Sequence, residues 1–537
     1  MDDWQDVYRD RRWDERLWPC DQTTSLFAPR IGLEMSRVSK NIIFNLIGQA
    51  LIVGLGFVGT RLVFSRLGEE SLGILYFALA IYAVITPLLD MGLSSTLIRE
   101  VASHLNTDPQ YVFRLSQTST LFCWAGYLVL GAAIWLGTPW LVLHWISIKT
   151  LDATTAEHAL RILALSLLLM LPRSLYSNLL RGVQRMEFNN FIDVGTIAVH
   201  QLGTVLVVML GGGIVQIAYC YLATLLLSNV AYMVVAARFF PWRSLFPGFS
   251  RDVVRRNFSF TSHMAAFAVL GTIQMESDKA LISKFLPIGL VGFYGVAQTL
   301  VARVSRVPGA VNQAAFPNFS ARFRNDDHAG LMREYRRLQD LVCYGLVPIF
   351  AVIIFAARPL FTYLLSAQAA KLLFLPTVFL CFGWYMNGTL HVPFALSLAV
   401  GRPDINAKLN FYALFLVLPL TVGLIWKLGL VGAGVSSVVY NLFAYIYAVR
   451  RWTFECMGTP PRDWYLHVLK ILALGSATYG TGWFALALAG QDSVVPLVIG
   501  YILASVAFLY AGYQGLGPDL REGFDTWRAK LAEGVSR

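Results

Sequence analysis

Charged residues are scarce in this chain. Only 14% of its 537 residues are charged, 56% are hydrophobic and the mean hydropathy is +0.57. An ordinary soluble domain carries about 25% charged and about 45–50% apolar residues. The composition therefore excludes a soluble globular fold and indicates a membrane protein.

Cofactor-binding motifs are also missing. The six cysteines are scattered, and no pair has the spacing of metal ligands or of a redox motif. No Walker A motif is present, so direct use of ATP is not expected. Residues 1–34 are polar and lack the apolar core of a cleavable signal peptide. They are expected to be a membrane-surface segment, a disordered tail or an upstream extension before a start at Met35. We expect no cofactor and no bound metal.

Apolar runs of about 20 residues, the length of a membrane-spanning helix, recur along the chain. Short alternating segments typical of an outer-membrane barrel are not seen. The runs predict an all-α polytopic membrane protein with about fourteen spans, numbered in chain order. The spans are 41–64, 72–95, 116–138, 159–180, 191–211, 214–237, 258–284, 288–314, 338–357, 372–400, 409–427, 430–449, 466–488 and 495–515.

The net charge of +11 has a topological explanation. With both termini placed in the cytoplasm, thirty Lys and Arg residues fall in inner loops and tails and six in outer loops. This asymmetry is the positive-inside rule. It predicts a multi-pass membrane protein with both termini cytoplasmic, and it gives no indication of nucleic-acid binding.

An internal repeat runs through the sequence. RLVFSRL at 61–67 recurs as KALISKF at 279–285, an offset of 218, and Gly73 aligns with Gly292 at an offset of 219. A fixed long offset is typical of transporters built from duplicated halves. The predicted organisation is a polar tail at 1–35, a first six-helix lobe at 36–240, a cytoplasmic linker at 241–257, a second lobe at 258–450, two further spans at 451–515 and a tail at 516–537.

Several segments carry a family resemblance by their order and spacing. They are SRVSKN at 36–41, LDMGL at 89–93 with IREVA at 98–102, PRSLY at 172–176 with RGVQR at 181–185, DK at 278–279, VGFY at 291–294 and AFP at 315–317. Residues 36–450 resemble bacterial polysaccharide transporters of the Wzx type, within the multidrug/oligosaccharidyl-lipid/polysaccharide exporter superfamily. The long N-terminal tail and the last two spans depart from many of these relatives.

The resemblance implies a flippase that moves an undecaprenyl-diphosphate-linked oligosaccharide across the inner membrane by alternating access, for surface or exopolysaccharide synthesis. Membrane lipids would surround it, and polysaccharide polymerase or export proteins are further candidate partners. A flippase for lipid-linked peptidoglycan precursors and a cation-coupled exporter of small molecules remain alternatives. A membrane glycosyltransferase or polymerase is disfavoured because the longest outer loop, 139–158, is short.

Basic residues inside spans are candidates for substrate binding, because a charge in hydrocarbon is costly unless it faces water or a partner. Arg303 and Arg306 are three residues apart on one face of span eight and suit a diphosphate. They could instead pair with Glu276 or Asp278. Further candidates that could also snorkel to the membrane surface are Arg61, Arg173 and Lys279.

Acidic residues inside spans are candidates for coupling transport to a proton or Na⁺. These are Asp90, Glu276 and Asp278. Asp278 could equally be a counter-ion for Lys279, and Asp90 lies close to a predicted helix end. The predominance of basic over acidic candidates favours an anionic substrate.

Overall fold

The computed structural model describes residues 31–90, 93–105, 107–257, 276–490, 493–515 and 521. Side chains are described from residue 54 onward, apart from those of 87–90, 95 and 314 within these ranges. The chain divides after Gly54 into two units. All the side-chain packing described below belongs to the second unit, from Leu55 onward.

Helices make up most of the described chain. Those up to the linker are Ile31–Asp90, Leu93–His104, Pro109–Trp140, Ala153–Leu168, Met170–Gly182, Met186–Met209 and Ile214–Ala236. Those that follow are Ile288–Ala302, Arg306–Arg324, His328–Leu364, Ala367–Thr389, His391–Ala399, Asp404–Leu428, Leu430–Ala444, Pro461–Gly475, Thr481–Leu488 and Val494–Gly515.

Twelve helices of the described residues are long and apolar enough to cross a membrane. The first helix contains Gly68 at φ 83°, between predicted spans one and two. This backbone conformation favours glycine. Of predicted span seven, only residues from 276 onward lie among those described. The predicted all-α polytopic fold is confirmed, whereas the count of fourteen spans stays a prediction.

The connections between successive helices alternate between two ends of the helices. The Gly68 end contains Gly68 and the connecting segments 144–152 and 283–289. The linker end contains the linker and the connecting segments 183–185 and 325–327. In these terms the six basic residues of the predicted outer loops lie towards the Gly68 end. The described basic residues of the predicted inner loops between 96 and 465 lie towards the linker end.

The described residues form two separate apolar cores. One core is confined to the first lobe and its linker at the linker end, where it includes Val101, Leu115 and Val253. The other core includes Val63 and Ile74 of the first lobe together with much of the second lobe. The larger core therefore includes buried residues of both lobes.

The linker packs onto the first lobe. The side-chain amide of Gln117 donates to the Arg243 carbonyl at 3.1 Å. The backbone carbonyl of Gln117 accepts from the Gly248 N–H at 3.1 Å. Near the end of the linker, Asn257 donates to the Tyr111 hydroxyl at 2.9 Å. The linker up to Asn257 is therefore part of the first lobe's packed structure.

The lobes meet at the Gly68 end. Trp145 Nε1 donates to Ser283 Oγ, Lys284 Nζ donates to the His144 carbonyl, and Ile288 N–H donates to the Ser147 carbonyl, each at 3.1 Å. These three hydrogen bonds between the lobes lie at the Gly68 end. A further one joins the side chains of Tyr76 and Thr299, farther along spans two and eight.

The last two predicted spans pack against the second lobe. The hydroxyl of Tyr465 donates to the Tyr445 carbonyl at 2.6 Å, and that of Tyr501 donates to the Pro348 carbonyl at 3.2 Å. The Tyr445 carbonyl lies in a short π-helical turn, Tyr445–Val449, where the regular helical pairing is interrupted. These two helices are therefore attached to lobe two.

Candidate functional site

Two glycines allow spans two and eight to approach backbone to backbone. A methyl group added at Gly73 would overlap the Ile288 carbonyl, and one added at Gly292 would lie 2.7 Å from the Gly73 nitrogen. Only glycine permits such a close approach, and small residues at helix crossings are common in membrane proteins for this reason. The crossing therefore depends on both glycines.

These contacts join positions that the repeat makes equivalent. Gly73 and Gly292 are 219 residues apart, and so are Tyr76 and Gly295, whose backbone lies against the Tyr76 ring. Equivalent residues touch each other when a two-fold axis passes between them. An axis running along spans two and eight would produce this pattern. The contacts support the predicted duplication, which stays a prediction.

The face of span eight that contacts span two continues beyond the crossing. It carries Gly292, Gly295 and Thr299 at helical spacing, and the same spacing continues to Arg303 and Arg306. Thr299 is exposed although it follows the buried Gly295 by only one turn. The two arginines therefore lie on the face directed at the first lobe, on the linker-end side of the glycine crossing.

A 3₁₀ turn, Arg303–Ser305, interrupts this helix. Pro308 accounts for it, because proline lacks an N–H and its ring displaces the carbonyl four residues earlier. Residues three apart eclipse each other in a 3₁₀ helix. The turn therefore places Arg303 and Arg306 on one line, with their guanidinium groups available to the same ligand.

The arginine pair has no ion pair or hydrogen bond among the described residues. Arg303 is half-buried and Arg306 is exposed, and Arg303 interacts electrostatically with Tyr76 and with Arg306 itself. The alternative partners are occupied elsewhere: Glu276 accepts from Lys279 Nζ at 2.5 Å. Asp278, the other alternative, accepts from the Tyr294 hydroxyl at 2.6 Å. Two adjacent positive charges without a protein anion are suited to an anionic ligand.

Arg61 and Lys279 each have a partner of their own. The guanidinium of Arg61 lies 4.1 Å from the centre of the Tyr363 ring, a cation–π contact between the lobes. Lys279 is largely buried against Glu276, three residues earlier on its helix. No contact that we identify among the described residues joins Arg61 to Lys279, so their role as a shared basic collar stays a prediction.

Arg173 belongs to a polar cluster inside the first lobe. It is ion-paired with Asp193, and its Nε donates to Ser228 Oγ at 2.8 Å. The Tyr232 hydroxyl also donates to Asp193, at 2.6 Å. Sequence analysis missed Asp193, although an acid inside predicted span five satisfies the rule used to select Arg173. Among the described residues, Arg173 is the only basic candidate that pairs with a carboxylate in another span.

A polar cavity lies inside the second lobe. It measures about 550 Å³, counted to its open mouth. Asp278 lines it, and the amide oxygen of buried Gln298 has no hydrogen-bond partner among the described residues. Other lining residues are Asn387, Thr421, Ser436, Ser437 and Asn441. A carboxylate among neutral oxygens could bind a proton or a small hard cation. The Asp90 side chain lies outside those described.

The sequence profile of the family described as "Polysaccharide biosynthesis protein" matches residues 63–372, more than half of the chain. The chain belongs to this family. The match includes both sides of the glycine crossing, the arginine pair and Asp278. It confirms the family resemblance that the sequence motifs indicated.

Relatives of this family member are transporters. A Shigella flexneri protein named "Putative O-antigen transporter" is 22% identical over 417 residues, which cover 74% of this chain and 94% of that protein. The structure of the lipid II flippase MurJ in an inward closed conformation overlays with a TM-score of 0.68 at 12% identity, covering 87% of this chain and 97% of that one.

An inward-facing structure of a multidrug resistance MATE family transporter of the MOP superfamily also overlays. Its TM-score is 0.63 at 14% identity, with 74% of this chain and 94% of that chain covered. At these identities the likeness establishes the fold. The protein is thus a multi-pass membrane protein with the fold of MOP-superfamily transporters.

Proposed function

We propose that this protein is a flippase for polyprenyl-diphosphate-linked oligosaccharides. It moves the sugar and the diphosphate through a cavity between the lobes, while the polyprenyl chain stays in the lipid. The family and the O-antigen transporter relative support a lipid-linked polysaccharide substrate. In this proposal the protein transports its substrate without chemical change and is not an enzyme.

The arginine pair carries this proposal. Arg303 and Arg306 face the first lobe just beyond the glycine crossing and have no anionic partner among the described residues. A diphosphate presents several oxygens that accept planar, bidentate hydrogen bonds from guanidinium groups. An isolated arginine in hydrocarbon costs roughly 2.5 kcal/mol or more. Two on one face are therefore expected to line water or to bind an anion.

The basic residues set the proposed orientation. The Gly68 end, poor in basic residues, faces the outside of the inner membrane, and the basic linker end faces the cytoplasm. With the lobes joined at the Gly68 end, the proposed cavity between the lobes would be closed to the outside. This conformation suits loading of substrate from the cytoplasmic leaflet in an alternating-access cycle.

The second-lobe cavity is the proposed coupling site. Asp278 binds the coupling proton or Na⁺, assisted by Gln298 and the neighbouring hydroxyl and amide groups. Glu276 and Lys279, adjacent on the same helix, adjust the local charge. Because this helix precedes span eight, occupation of the cavity can act on the element that carries the arginine pair. Asp90 is retained as a further coupling candidate, and Arg61, Arg173 and Lys279 as further substrate contacts.

Complementation of a strain that lacks its polysaccharide flippase tests the proposal. The double variant Arg303→Ala, Arg306→Ala should abolish surface polysaccharide, because each hydrogen bond to a charged group is worth about 1.5–3 kcal/mol. Arg→Lys at both positions should retain partial activity, since lysine keeps the charge and loses the planar fork. All variants are compared at equal membrane abundance.

Arg324→Ala is the matched control. This exposed arginine lies on the same helix as Arg306 and has no ion pair among the described residues. It should complement fully. Full complementation by the double alanine variant would exclude the arginine pair as the substrate site.

A further inference from the structure

Glu70 is a buried carboxylate at the Gly68 end, only 5% exposed. Its two oxygens accept the backbone N–H groups of Lys149 at 2.7 Å, Thr150 at 2.9 Å and Leu151 at 2.6 Å. The Thr150 hydroxyl donates a fourth hydrogen bond at 2.8 Å. Glu70 therefore binds segment 144–151 through three consecutive backbone amides.

The same segment contacts the second lobe on its other side. Ser147 and Pro287 form a parallel β-bridge. The Lys284 ammonium lies 5.0 Å from the centre of the Trp145 ring, in addition to the hydrogen bonds of Trp145 and His144 described above. Segment 144–151 thus lies between Glu70 of the first lobe and residues 283–288 of the second.

The chemistry of Glu70 suits a contact that forms and breaks. No basic side chain pairs with it among the described residues, so the four donors of the segment satisfy its charge. A buried carboxylate without such donors is costly. In water, hydration replaces the same hydrogen bonds, so both the bound and the released carboxylate are satisfied. Intermediate positions, in which the carboxylate is dry and partly unbonded, are disfavoured.

We propose that Glu70 is a positioning residue that holds segment 144–151 as a latch across the Gly68 end. Glu70 and the segment both belong to the first lobe, and Glu70 fixes the position from which the segment bonds residues 283–288 of the second lobe. Loss of the Glu70 contact lets the segment shift and weakens those bonds, so the lobes can separate there and expose the inter-lobe face of span eight. The proposal rests on the proposed alternating-access function. In this proposal, opening of the Gly68 end is controlled by the contact between the Glu70 carboxylate and the backbone amides of 149–151. No basic side chain among the described residues takes part in it.

Thr299 provides a reporter for this gate. It is exposed on span eight, one turn beyond the Gly295–Tyr76 contact. A cysteine at this position, in a chain without other reactive cysteines, should be shielded from the outside while the Gly68 end is closed. Its rate of reaction with an impermeant maleimide in intact cells therefore measures how often that end opens.

Glu70→Gln should raise this rate about tenfold, which corresponds to about 1.4 kcal/mol. Glutamine keeps the shape, removes the charge and turns an amide N–H₂ towards backbone donors. Thr150→Val, which removes one of the four hydrogen bonds, should raise the rate less. Glu69→Gln is the matched control. Glu69 is exposed, and its side chain lies beside Gly289 of the second lobe, a contact that glutamine of the same shape keeps. The change should leave the rate at its wild-type value.

Equal rates for Glu70→Gln and Glu69→Gln at equal abundance would overturn the latch. If Glu70→Gln does not accumulate, Thr150→Val decides: a rate above that of Glu69→Gln supports the latch, and an equal rate overturns it. Inside-out vesicles provide the orientation control. If the protein with Thr299→Cys and no further substitution reacts in intact cells but not in these vesicles, the proposed orientation is wrong. The latch variants would then be compared in the vesicles. Labelling needs no substrate, so the latch and the flippase proposal fail separately.

Discussion

The two ends of the helices are held by different kinds of contact. At the Gly68 end the lobes meet through glycine, backbone carbonyls and the short segment 144–151, with few basic residues nearby. At the linker end each lobe is held by its own charged network. Glu100 of the first lobe bonds Arg99 and Tyr111, and Arg322 of the second lobe pairs with Asp327 and Glu334.

This difference indicates a division of roles. The buried Glu100 carboxylate is costly to separate from its partners, so its network stabilises the first lobe. The Arg322 network is partly exposed and contributes less to the second lobe. The glycine crossing itself has no side chains to unpack, although neighbouring rings such as Phe64 and Phe293, 5.7 Å apart between centres, must separate with it. The few hydrogen bonds between the lobes at this end can be replaced by bonds to water. Alternating access needs rigid lobes and a separable contact between them. The Gly68 end supplies that contact, and the linker end supplies the rigidity.

The largest effect is expected at the glycine crossing. Gly73→Ala places a methyl group against a backbone carbonyl that cannot rotate away, as does Gly292→Ala against the Gly73 backbone. Overpacking of this kind costs about 3 kcal/mol. Either variant should prevent closure of the Gly68 end, abolish complementation and accelerate labelling of Thr299→Cys.

Gly195→Ala is the control for the glycine variants. A methyl group at Gly195, on predicted span five, meets nothing within 4 Å. This variant should be silent in transport and in labelling. Wild-type transport by Gly73→Ala would show that the crossing is not essential to the cycle.

A smaller effect, of a different kind, is expected from Glu100→Gln at the linker end. Glu100 is 5% exposed and accepts from Arg99 at 2.6 Å and from the Tyr111 hydroxyl at 3.0 Å. Loss of its charge should reduce the free energy of unfolding by about 2 kcal/mol. Thermal unfolding of the purified protein measures this, while the labelling rate of Thr299→Cys should not change. Faster labelling would contradict the separation of roles between the two ends.

The smallest effect is expected from Asp327→Asn. Asp327 caps the helix His328–Leu364, and the Gly330 N–H together with the Arg322 guanidinium lowers the pKa of this carboxyl below its ordinary value. Its contribution to stability is therefore present above the ordinary carboxyl range and is lost as pH falls through the lowered pKa. The variant should have a slightly lower Tm than wild type at neutral pH and the same Tm in strong acid. A difference that grows in acid would contradict this sign.

Parts of this comparison could be predicted from the sequence. The offset of 219 aligned Gly73 with Gly292, which proved to be in contact, and the three-residue spacing placed Arg303 and Arg306 on one face. Asp193 was equally visible as an acid inside a span. Apolar runs of about 20 residues were sufficient to predict an all-α polytopic fold, because the membrane imposes helix length and internal backbone pairing.

Other parts could not be predicted. Asn387 and Asn441 line the second-lobe cavity, but single amides are frequent in membrane helices and only tertiary packing selects these two. Glu70 lies beside a glycine turn and carries no motif that indicates backbone partners 79 to 81 residues away. Closure at the Gly68 end is also invisible in sequence, because both states of an alternating-access cycle share the same helices.

Binding of a polyprenyl diphosphate to the purified protein tests the central claim most directly. Native mass spectrometry should show that the wild-type protein retains this lipid and prefers it to the corresponding monophosphate. The Arg303→Ala, Arg306→Ala variant should lose about two orders of magnitude in affinity, from the loss of at least two charge-assisted hydrogen bonds, while Arg324→Ala binds as wild type. Equal retention of the diphosphate by the wild type and the double variant would contradict the assignment of the arginine pair as the substrate site.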